Sequence, residues 1–385
     1  MTAVAAVPVF RTGAGHASCH HGEILQGVFR DAEGNGCAGL VTLPMHGPGA
    51  PGSRAVFVPR PGTRPGEVTV EPAGRTKARR AAVLMAEECR SRARVPVCGG
   101  ALRLTGDLPV GLGMGSSSSD VIAALRAVAD AFGVRPHPGT LARLAVRAEG
   151  ACDPLMLDGG RPALFAQREG RVLEVFGGAL PPVVVVGCAL GGGRPVDTLA
   201  LPAPHTGSAT ELDTYARLRD LLRRAVRAGD PVLLGRVATE SARLGQRRLR
   251  HPEFGALETA LAETAERAGA VGVQIAHSGS VAGLLLDPAG GGLRRRVREC
   301  VRALDGLGLP AVRVFATYPP FVPHPPFSPF TPTAPTAPPP SSLPFEELSH
   351  GHAHTGPARH GHAHSGFDRP PGSGPARRGA ALPAL

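Results

Sequence analysis

The sequence predicts an α+β protein with two domains and a disordered tail. Strand and helix patterns are mixed in the first half, consecutive helices precede further strands in the second, and the last part is rich in proline and histidine. With 385 residues, 42% of them hydrophobic, the chain can bury two cores. We expect an N-terminal extension at 1–14, a first domain at 15–180, a second domain at 181–318 and the disordered tail at 319–385.

The first domain should begin with a hairpin, because apolar residues alternate on both sides of a turn at 31–36. Its strands are predicted around 24–28 and 37–43. The later elements of this domain are strands at 55–58 and 67–70, a helix at 77–94, a strand at 101–104, helices at 117–132 and 140–149, and a hairpin within 163–176. The second domain is predicted to contain a strand at 183–186, helices across 211–268, strands at 272–276 and 281–287, a helix at 293–304 and a strand at 311–316.

Composition excludes several classes of protein. The N-terminus does not have the pattern of a signal peptide, and no apolar stretch is long enough to span a membrane, so we expect a cytoplasmic protein without a membrane partner. The seven cysteines are scattered and never form a CxxC pair, which predicts reduced thiols. The net charge of +11 comes without any nucleic-acid motif, so no nucleic-acid partner is expected.

A glycine- and serine-rich loop is the most informative motif. It reads Pro109-Val-Gly-Leu-Gly-Met-Gly-Ser-Ser-Ser-Ser119 and joins a predicted strand to a predicted helix, where backbone amides and the helix dipole can hold a phosphate. It is neither a P-loop nor a dinucleotide fingerprint. The candidate phosphate-binding residues are Pro109, Gly111, Gly113, Met114, Gly115, Ser116, Ser117, Ser118 and Ser119. The alternative is an ordinary loop in which Ser116 or Ser117 caps the helix.

This loop resembles the PxGxGLGSSAA nucleotide loop of the GHMP kinases, the superfamily of galactokinase, homoserine kinase, mevalonate kinase and phosphomevalonate kinase. The resemblance implies a two-domain GHMP kinase fold, with an N-terminal ribosomal-protein-S5-like β/α domain and a C-terminal ferredoxin-like α+β sandwich. It implies a kinase that uses ATP and Mg²⁺ and phosphorylates an alcohol hydroxyl of a small molecule. In this family the second serine after the last glycine helps to hold Mg²⁺, which implies that role for Ser117.

Two further segments resemble the L-threonine kinases of cobalamin biosynthesis. Residues 18–27, SCHHGEILQG, resemble the SCGELIQG segment of those enzymes, with two histidines inserted. Residues 276–285 resemble their third glycine-rich motif, which implies that Ser278, Gly279 and Ser280 close over the phosphate loop. A plain hairpin turn is the alternative for that loop. L-threonine is therefore the favoured acceptor.

The resemblance also implies roles for two carboxylates, one in binding Mg²⁺ and one in catalysis. Glu149, at the end of a predicted helix, corresponds to a glutamate that binds Mg²⁺ in relatives, and its alternative is an exposed helix-end carboxylate. Asp153 corresponds to the aspartate of the ExxD segment and is the catalytic candidate, although it lies one residue further from Glu149 than in that pattern. Its alternative is a helix N-cap, because Pro154 follows it.

We expect the acceptor to bind between the N-terminal hairpin and the two later segments that carry Thr198 and Ser241. The candidate substrate-binding residues are His21, Glu23, Gln26, Asp197, Thr198 and Ser241. Lys77, the only lysine, lies in none of the motifs, so lysine-assisted transfer is not expected.

Two copies of HGHAH in the tail could bind a divalent metal, or be a solvated low-complexity segment. Alternative functions are a GHMP kinase for another small alcohol such as homoserine, and a non-catalytic regulator that binds nucleotide or metal. The sequence does not determine the oligomeric state.

Overall fold

The computed structural model describes residues 10–45, 50–108, 113–157, 160–190, 207–249, 254–309 and 311–317. The elements up to residue 175 are β1 (Gly13–Ser18), β2 (His20–Arg30), β3 (Gly36–Pro44), β4 (Gly52–Pro59), β5 (Val68–Glu71), α1 (Thr76–Cys89), β6 (Gly100–Gly106), α2 (Ser116–Ala131), α3 (Pro138–Glu149), β7 (Ala163–Ala166) and β8 (Arg171–Val175). The later elements are β9 (Val184–Ala189), α4 (Ala209–Ala228), α5 (Pro231–Leu249), α6 (Phe254–Arg267), β10 (Gly272–Ile275), β11 (Val281–Leu286), α7 (Leu293–Gly306) and β12 (Ala311–Ala316).

The strands form three four-stranded sheets. Their orders are β1-β4-β6-β5, β2-β3-β7-β8 and β10-β11-β9-β12. All strand pairs are antiparallel except β5 with β6, which run parallel. The mixture of sheets and helices confirms the predicted α+β class. The predicted boundary near residue 180 stays a prediction, and the predicted tail lies outside the described residues.

Strand β1 was not predicted, because its sequence GAGHAS contains few residues with strand propensity. It lies on α2 at very short range. A Cβ on Gly13 would fall 2.1 Å from the carbonyl oxygen of Ala127, and a Cβ on Gly15 would fall 2.1 Å from that of Ala123. Only glycine allows the strand backbone to approach the helix backbone so closely.

Buried side chains form three clusters. The first lies between the β1 sheet, α1, α2 and α3. The second packs the β2–β3 hairpin against α4 and α5, with Val28 and Tyr215 among its members. The third lies between the β9 sheet, α6 and α7. The second cluster fixes β2 against the second half of the chain, and this contact positions one wall of the site.

Most predicted boundaries agree with the structure to within a few residues. The main exception is α1, which ends at Cys89 and not at residue 94. All seven cysteines are unpaired and buried, as the sequence predicts. None of the helices in the described part of the chain combines the length and apolar character that a membrane span requires.

Candidate active site

The phosphate loop leads into α2 through two glycines whose backbone dihedral angles lie in the left-handed region. Gly113 has φ of 64° and Gly115 has φ of 70°. The side chain of Met114 between them is fully buried, and its carbonyl oxygen accepts a hydrogen bond from the His20 amide over 3.2 Å. Gly115 occupies the N-cap position of α2, and no side chain caps this helix. The predicted alternative, a serine cap, is therefore wrong.

The loop between β10 and β11 carries Ser278, Gly279 and Ser280 and is called the third-motif loop. It packs directly against the phosphate loop. A Cβ on Gly113 would lie 2.3 Å from Ser278 Oγ and 2.5 Å from Ser280 Oγ, so the two loops touch where glycine has no side chain. The Ser278 and Ser280 hydroxyls are 2.6 Å apart and hydrogen-bonded. The loop also connects β10 to β11 as a hairpin, and Gly279 at its tip has φ of 70°. Both interpretations of this segment hold, since it is a hairpin turn that faces the phosphate loop.

Glu149 joins the end of α3 to the start of α2. Its two carboxylate oxygens accept hydrogen bonds from Ser117 Oγ and Ser118 Oγ, each over 2.9 Å. The residue is 5% exposed, so the alternative of an exposed helix-end carboxylate is wrong. Burial, and second the negative charge of Asp153, raise the pKa of Glu149 to about 7.

Asp153 pairs with His20. The Asp153 carboxylate oxygen Oδ2 lies 3.0 Å from His20 Nε2, and the Asp153 amide donates to Ser118 Oγ over 3.1 Å. Residues 154–157 contain a turn and no helix, so Asp153 is not the helix N-cap that was its alternative. Burial alone would raise the pKa of Asp153, but the proximity of His20 outweighs it and lowers that pKa.

Glu23 and Gln26 connect β2 to the third-motif loop. Glu23 Oε2 accepts a hydrogen bond from the His277 amide over 2.7 Å, and Gln26 Oε1 lies 2.9 Å from His277 Nδ1. Burial raises the pKa of Glu23 to about 7, against the opposing effect of His20. Burial would lower the pKa of His20, but Asp153 and Glu23 together raise it.

These elements surround a cleft of about 760 Å³. The candidate residues that line it are Glu23, Gly113, Gly115, Ser116, Ser117, Ser118, Glu149, Asp153 and Ser278. Three segments that are distant in sequence therefore meet at one cleft, as the motifs predict. The cleft carries hydroxyl groups and acidic side chains from these motifs, together with the basic side chains of Arg75, Lys77 and Arg168.

The other candidate residues lie behind the cleft or outside the described chain. Ser119 is buried and donates to the Ala17 carbonyl oxygen, so it anchors α2 to β1. The Ser241 hydroxyl is 1% exposed and accepts from the Gln26 amide. Pro109, Gly111, Asp197 and Thr198 lie outside the described residues. Their roles stay predictions.

His21 is placed in the core. It is completely buried, its Nδ1 lies 2.9 Å from Gln274 Oε1, and its ring packs against that of Phe315 at a centroid distance of 5.2 Å and an interplanar angle of 47°. Its neighbour His20 lines the cleft instead. The backbone of β2 has a bulge here: Gly22 has φ of 66°, and the pairing register of β2 with β3 shifts between His20 and Glu23. This bulge breaks the alternation of side chains that would otherwise put residues 21 and 23 on one face.

Sequence reasoning missed several residues that line the cleft. Those with a basic side chain include His20, Arg75, Lys77 and Arg168. For His20 the available signal was Gly22, two positions further along the chain, because a glycine inside a strand often marks a bulge. Nothing in the sequence near the other three indicates that they line the cleft.

Comparison with known proteins relates one segment of the chain to a known family. Residues 77–157, which include the phosphate loop, α2, α3 and Asp153, match the family model described as the GHMP kinases N terminal domain. Solved GHMP kinases have a similar fold over most of the chain. Homoserine kinase from Cytophaga hutchinsonii matches with a TM-score of 0.54 and 15% identity, covering 82% of this chain and 97% of that one.

Phosphomevalonate kinase from Streptococcus pneumoniae matches with a TM-score of 0.56 and 12% identity, covering 80% of this chain and 100% of the other. At these identities the likeness shows that the chain has the GHMP kinase fold. By sequence, the chain is 29% identical to L-threonine kinase from Salmonella typhimurium over 193 residues, which is 47% of this chain and 57% of that protein. The chain thus spans about 60% of the length of the curated relatives that it matches.

Proposed function

We propose that this protein is a GHMP kinase that transfers the γ-phosphate of ATP to the side-chain hydroxyl of L-threonine, giving O-phospho-L-threonine. One observation carries the proposal: the phosphate loop, the third-motif loop and Glu149 meet around one cleft, with Asp153 at the same place. The sequence similarity to an L-threonine kinase supports the choice of acceptor. In phosphoryl transfer the protein mainly positions the reactants and neutralises charge, and the cleft provides groups for both tasks.

The phosphate chain of ATP would bind at the start of α2. The backbone conformation of Gly113 and Gly115 and the N-terminal end of the helix dipole favour an anion there. Ser116 and Ser278 line the same cleft. Arg75 and Lys77, from the start of α1, and Arg168 add positive charge to its lining. These groups together suit a polyphosphate better than a neutral ligand.

Ser117 and Glu149 fit a magnesium ion. Their oxygen atoms are the donors that a hard cation prefers, and both residues line the cleft at the phosphate loop. Mg²⁺ bound there would neutralise charge on the β- and γ-phosphates. Glu149 would hold the ion in its ionised form, since a protonated carboxyl group is a poor ligand. The hydrogen bonds from both serines favour that ionised form.

Asp153 is suited to orient the acceptor hydroxyl. Because its pKa is lowered, it is ionised at neutral pH and can accept a hydrogen bond from the hydroxyl group. The same lowered pKa makes the Asp153 carboxylate a weak base. We therefore propose that its main role is to align the hydroxyl group for in-line attack, and not to remove the hydroxyl proton early in the reaction. His20 holds the carboxylate from the side of β2.

The test is release of ADP by the purified full chain with MgATP and a panel of acceptors. The panel contains L-threonine, L-serine, L-homoserine, mevalonate and galactose. We expect turnover with L-threonine, and O-phospho-L-threonine identified by mass spectrometry. Turnover only with another acceptor would keep the kinase but reject threonine. Binding of ATP without turnover on any acceptor would favour a regulator.

Matched variants make the test specific for this cleft. Ser117→Ala should lower turnover by about 100-fold or more, because it removes a hydroxyl at the proposed magnesium site. Ser91→Ala, in an exposed turn after α1, is the same chemical change away from the cleft and should leave turnover unchanged. Equal activity of both variants would reject the site.

A further inference from the structure

A second group of metal-ligand side chains lies beside the proposed magnesium site. The side-chain ligand atoms of His20, Glu23 and Asp153 all lie within 4.8 Å of one another, and this is the one such group of His, Cys, Asp or Glu among the described residues. All three line the cleft. His20 is 1% exposed and Glu23 is 6% exposed, so the group is desolvated but can be reached from the cleft. Neither Ser117 nor Glu149 belongs to it.

The imidazole of His20 is oriented as a metal ligand would be. Its Nδ1 lies 3.1 Å from the carbonyl oxygen of Gly22, and donation of the Nδ1 hydrogen to that oxygen leaves a lone pair on Nε2. Nε2 is completely buried and is not satisfied by a hydrogen bond, and the Asp153 carboxylate oxygen Oδ2 lies 3.0 Å away. A buried nitrogen without a hydrogen bond, turned towards two carboxylates, indicates that a cation belongs there.

Gly115 lies directly against this ring. A Cβ at position 115 would lie 2.5 Å from His20 Nε2, even closer to Cδ2 of the same ring, and 3.4 Å from Asp153 Oδ2. Only glycine therefore lets the start of α2 approach His20 and Asp153 so closely.

We propose that His20, Glu23 and Asp153 bind a divalent transition-metal ion such as Zn²⁺ in preference to Mg²⁺. One imidazole and two carboxylates form a mixed nitrogen and oxygen ligand set, which borderline metals favour, whereas Mg²⁺ prefers oxygen ligands alone. The site goes beyond the proposed kinase function and does not depend on it. It shares Asp153 with the acceptor part of the cleft, so zinc bound there occupies the group that we assign to the hydroxyl.

The competing arrangement is an ion pair without metal. A protonated His20 would satisfy both carboxylates, and the raised pKa of His20 is compatible with it. The two arrangements differ in one measurable property. The metal site takes up one equivalent of Zn²⁺, whereas an ion pair of three residues takes up none.

The experiment is calorimetric titration of the full chain with ZnCl₂ and, separately, MgCl₂, without nucleotide. The six histidines of the two HGHAH copies, at positions 350, 352, 354, 360, 362 and 364, are replaced by asparagine in every sample, so that they do not bind the metal. We expect one equivalent of Zn²⁺ to bind, more tightly than Mg²⁺. His20→Gln, Glu23→Gln and Asp153→Asn should each weaken zinc binding by at least about 10-fold.

His137→Asn is the matched control. His137 is the exposed N-cap of α3, and asparagine can replace it in that role. This variant should bind zinc like its parent. Absence of stoichiometric zinc binding in the parent, or equal binding in the His20 and His137 variants, would overturn the proposal. Where His20→Gln does not fold, judged by its circular dichroism, Asp153→Asn provides the same comparison from the partly exposed side of the site.

Discussion

Ser117 Oγ donates a hydrogen bond to Glu149 Oε2 over 2.9 Å. This contact joins the first turn of α2 to the last residue of α3, although the two residues are 32 positions apart in the chain. It brings a hydroxyl and a buried carboxylate together beside the phosphate loop. The first prediction follows from this pair.

Glu149→Gln and Ser117→Ala should each lower kcat with L-threonine by about 100-fold or more, because each removes an oxygen ligand at the place where phosphate charge must be neutralised. Raising the Mg²⁺ concentration should partly restore Ser117→Ala, and steady-state kinetics at several Mg²⁺ concentrations measure this. Glu87→Gln, at an exposed position of α1, is the control. Unchanged kcat in both site variants would remove the magnesium assignment.

Gly115→Ala should abolish activity, whereas Gly133→Ala should not. Both glycines have positive φ, 70° and 65°, so both variants carry a similar backbone strain of about 1 kcal/mol. Only at Gly115 would the new methyl group collide, with His20 Nε2 at 2.5 Å, while nothing lies within 4 Å of a Cβ at Gly133. Urea unfolding and turnover of both variants separate strain from collision. Full activity of Gly115→Ala would show that the contact with His20 is unimportant.

The stability of the protein should depend on Glu149 between about pH 4.5 and pH 7. Its pKa is raised from 4.5 to about 7 in the fold, so the folded state holds a proton that the unfolded state loses first. The contribution of Glu149 to the free energy of unfolding therefore falls as pH rises through this window, by up to about 3 kcal/mol. Glu149→Gln should remove this contribution to the pH dependence and raise stability at pH 8.

Urea unfolding of both proteins in EDTA at pH 5 and pH 8 measures the difference. Glu23, whose pKa is also raised to about 7, acts in the same window, so the variant should keep part of the fall. Glu149→Gln would thus be more stable than its parent at pH 8 but less active. The same pH dependence in parent and variant would contradict the prediction.

His21 should make the fold sensitive to acid. Burial lowers its pKa from 6.5 to about 4, so the unfolded state binds a proton that the folded state excludes between these pH values. The contribution of His21 to the free energy of unfolding therefore decreases as pH falls from 6.5 towards 4, by up to about 3 kcal/mol, opposite in sign to that of Glu149. His21→Gln should lose this dependence, as measured by thermal unfolding at pH 4.5 and 7. The exposed His137→Asn should keep it.

Much of the fold was predictable from local patterns. The hairpin of β2 and β3 follows from alternation around a turn, and α2 and α3 follow from helical spacing. Strand β1 was not predictable, because glycine, alanine and histidine carry little strand propensity. Its conformation is fixed by pairing with β4 and by contact with α2, and both are tertiary interactions.

The sequence by itself determined which segments form the site. The glycines and serines before α2 and the glycine-rich turn after β10 are local patterns, and the resemblance that they carry also pointed to Glu149. Tertiary structure decided which side chains of β2 face the cleft. A bulge at Gly22 turns His20 towards Asp153 and buries His21 against Phe315. Two adjacent histidines have the same chemistry, and only the path of the backbone, fixed by packing against distant elements, gives them different surroundings.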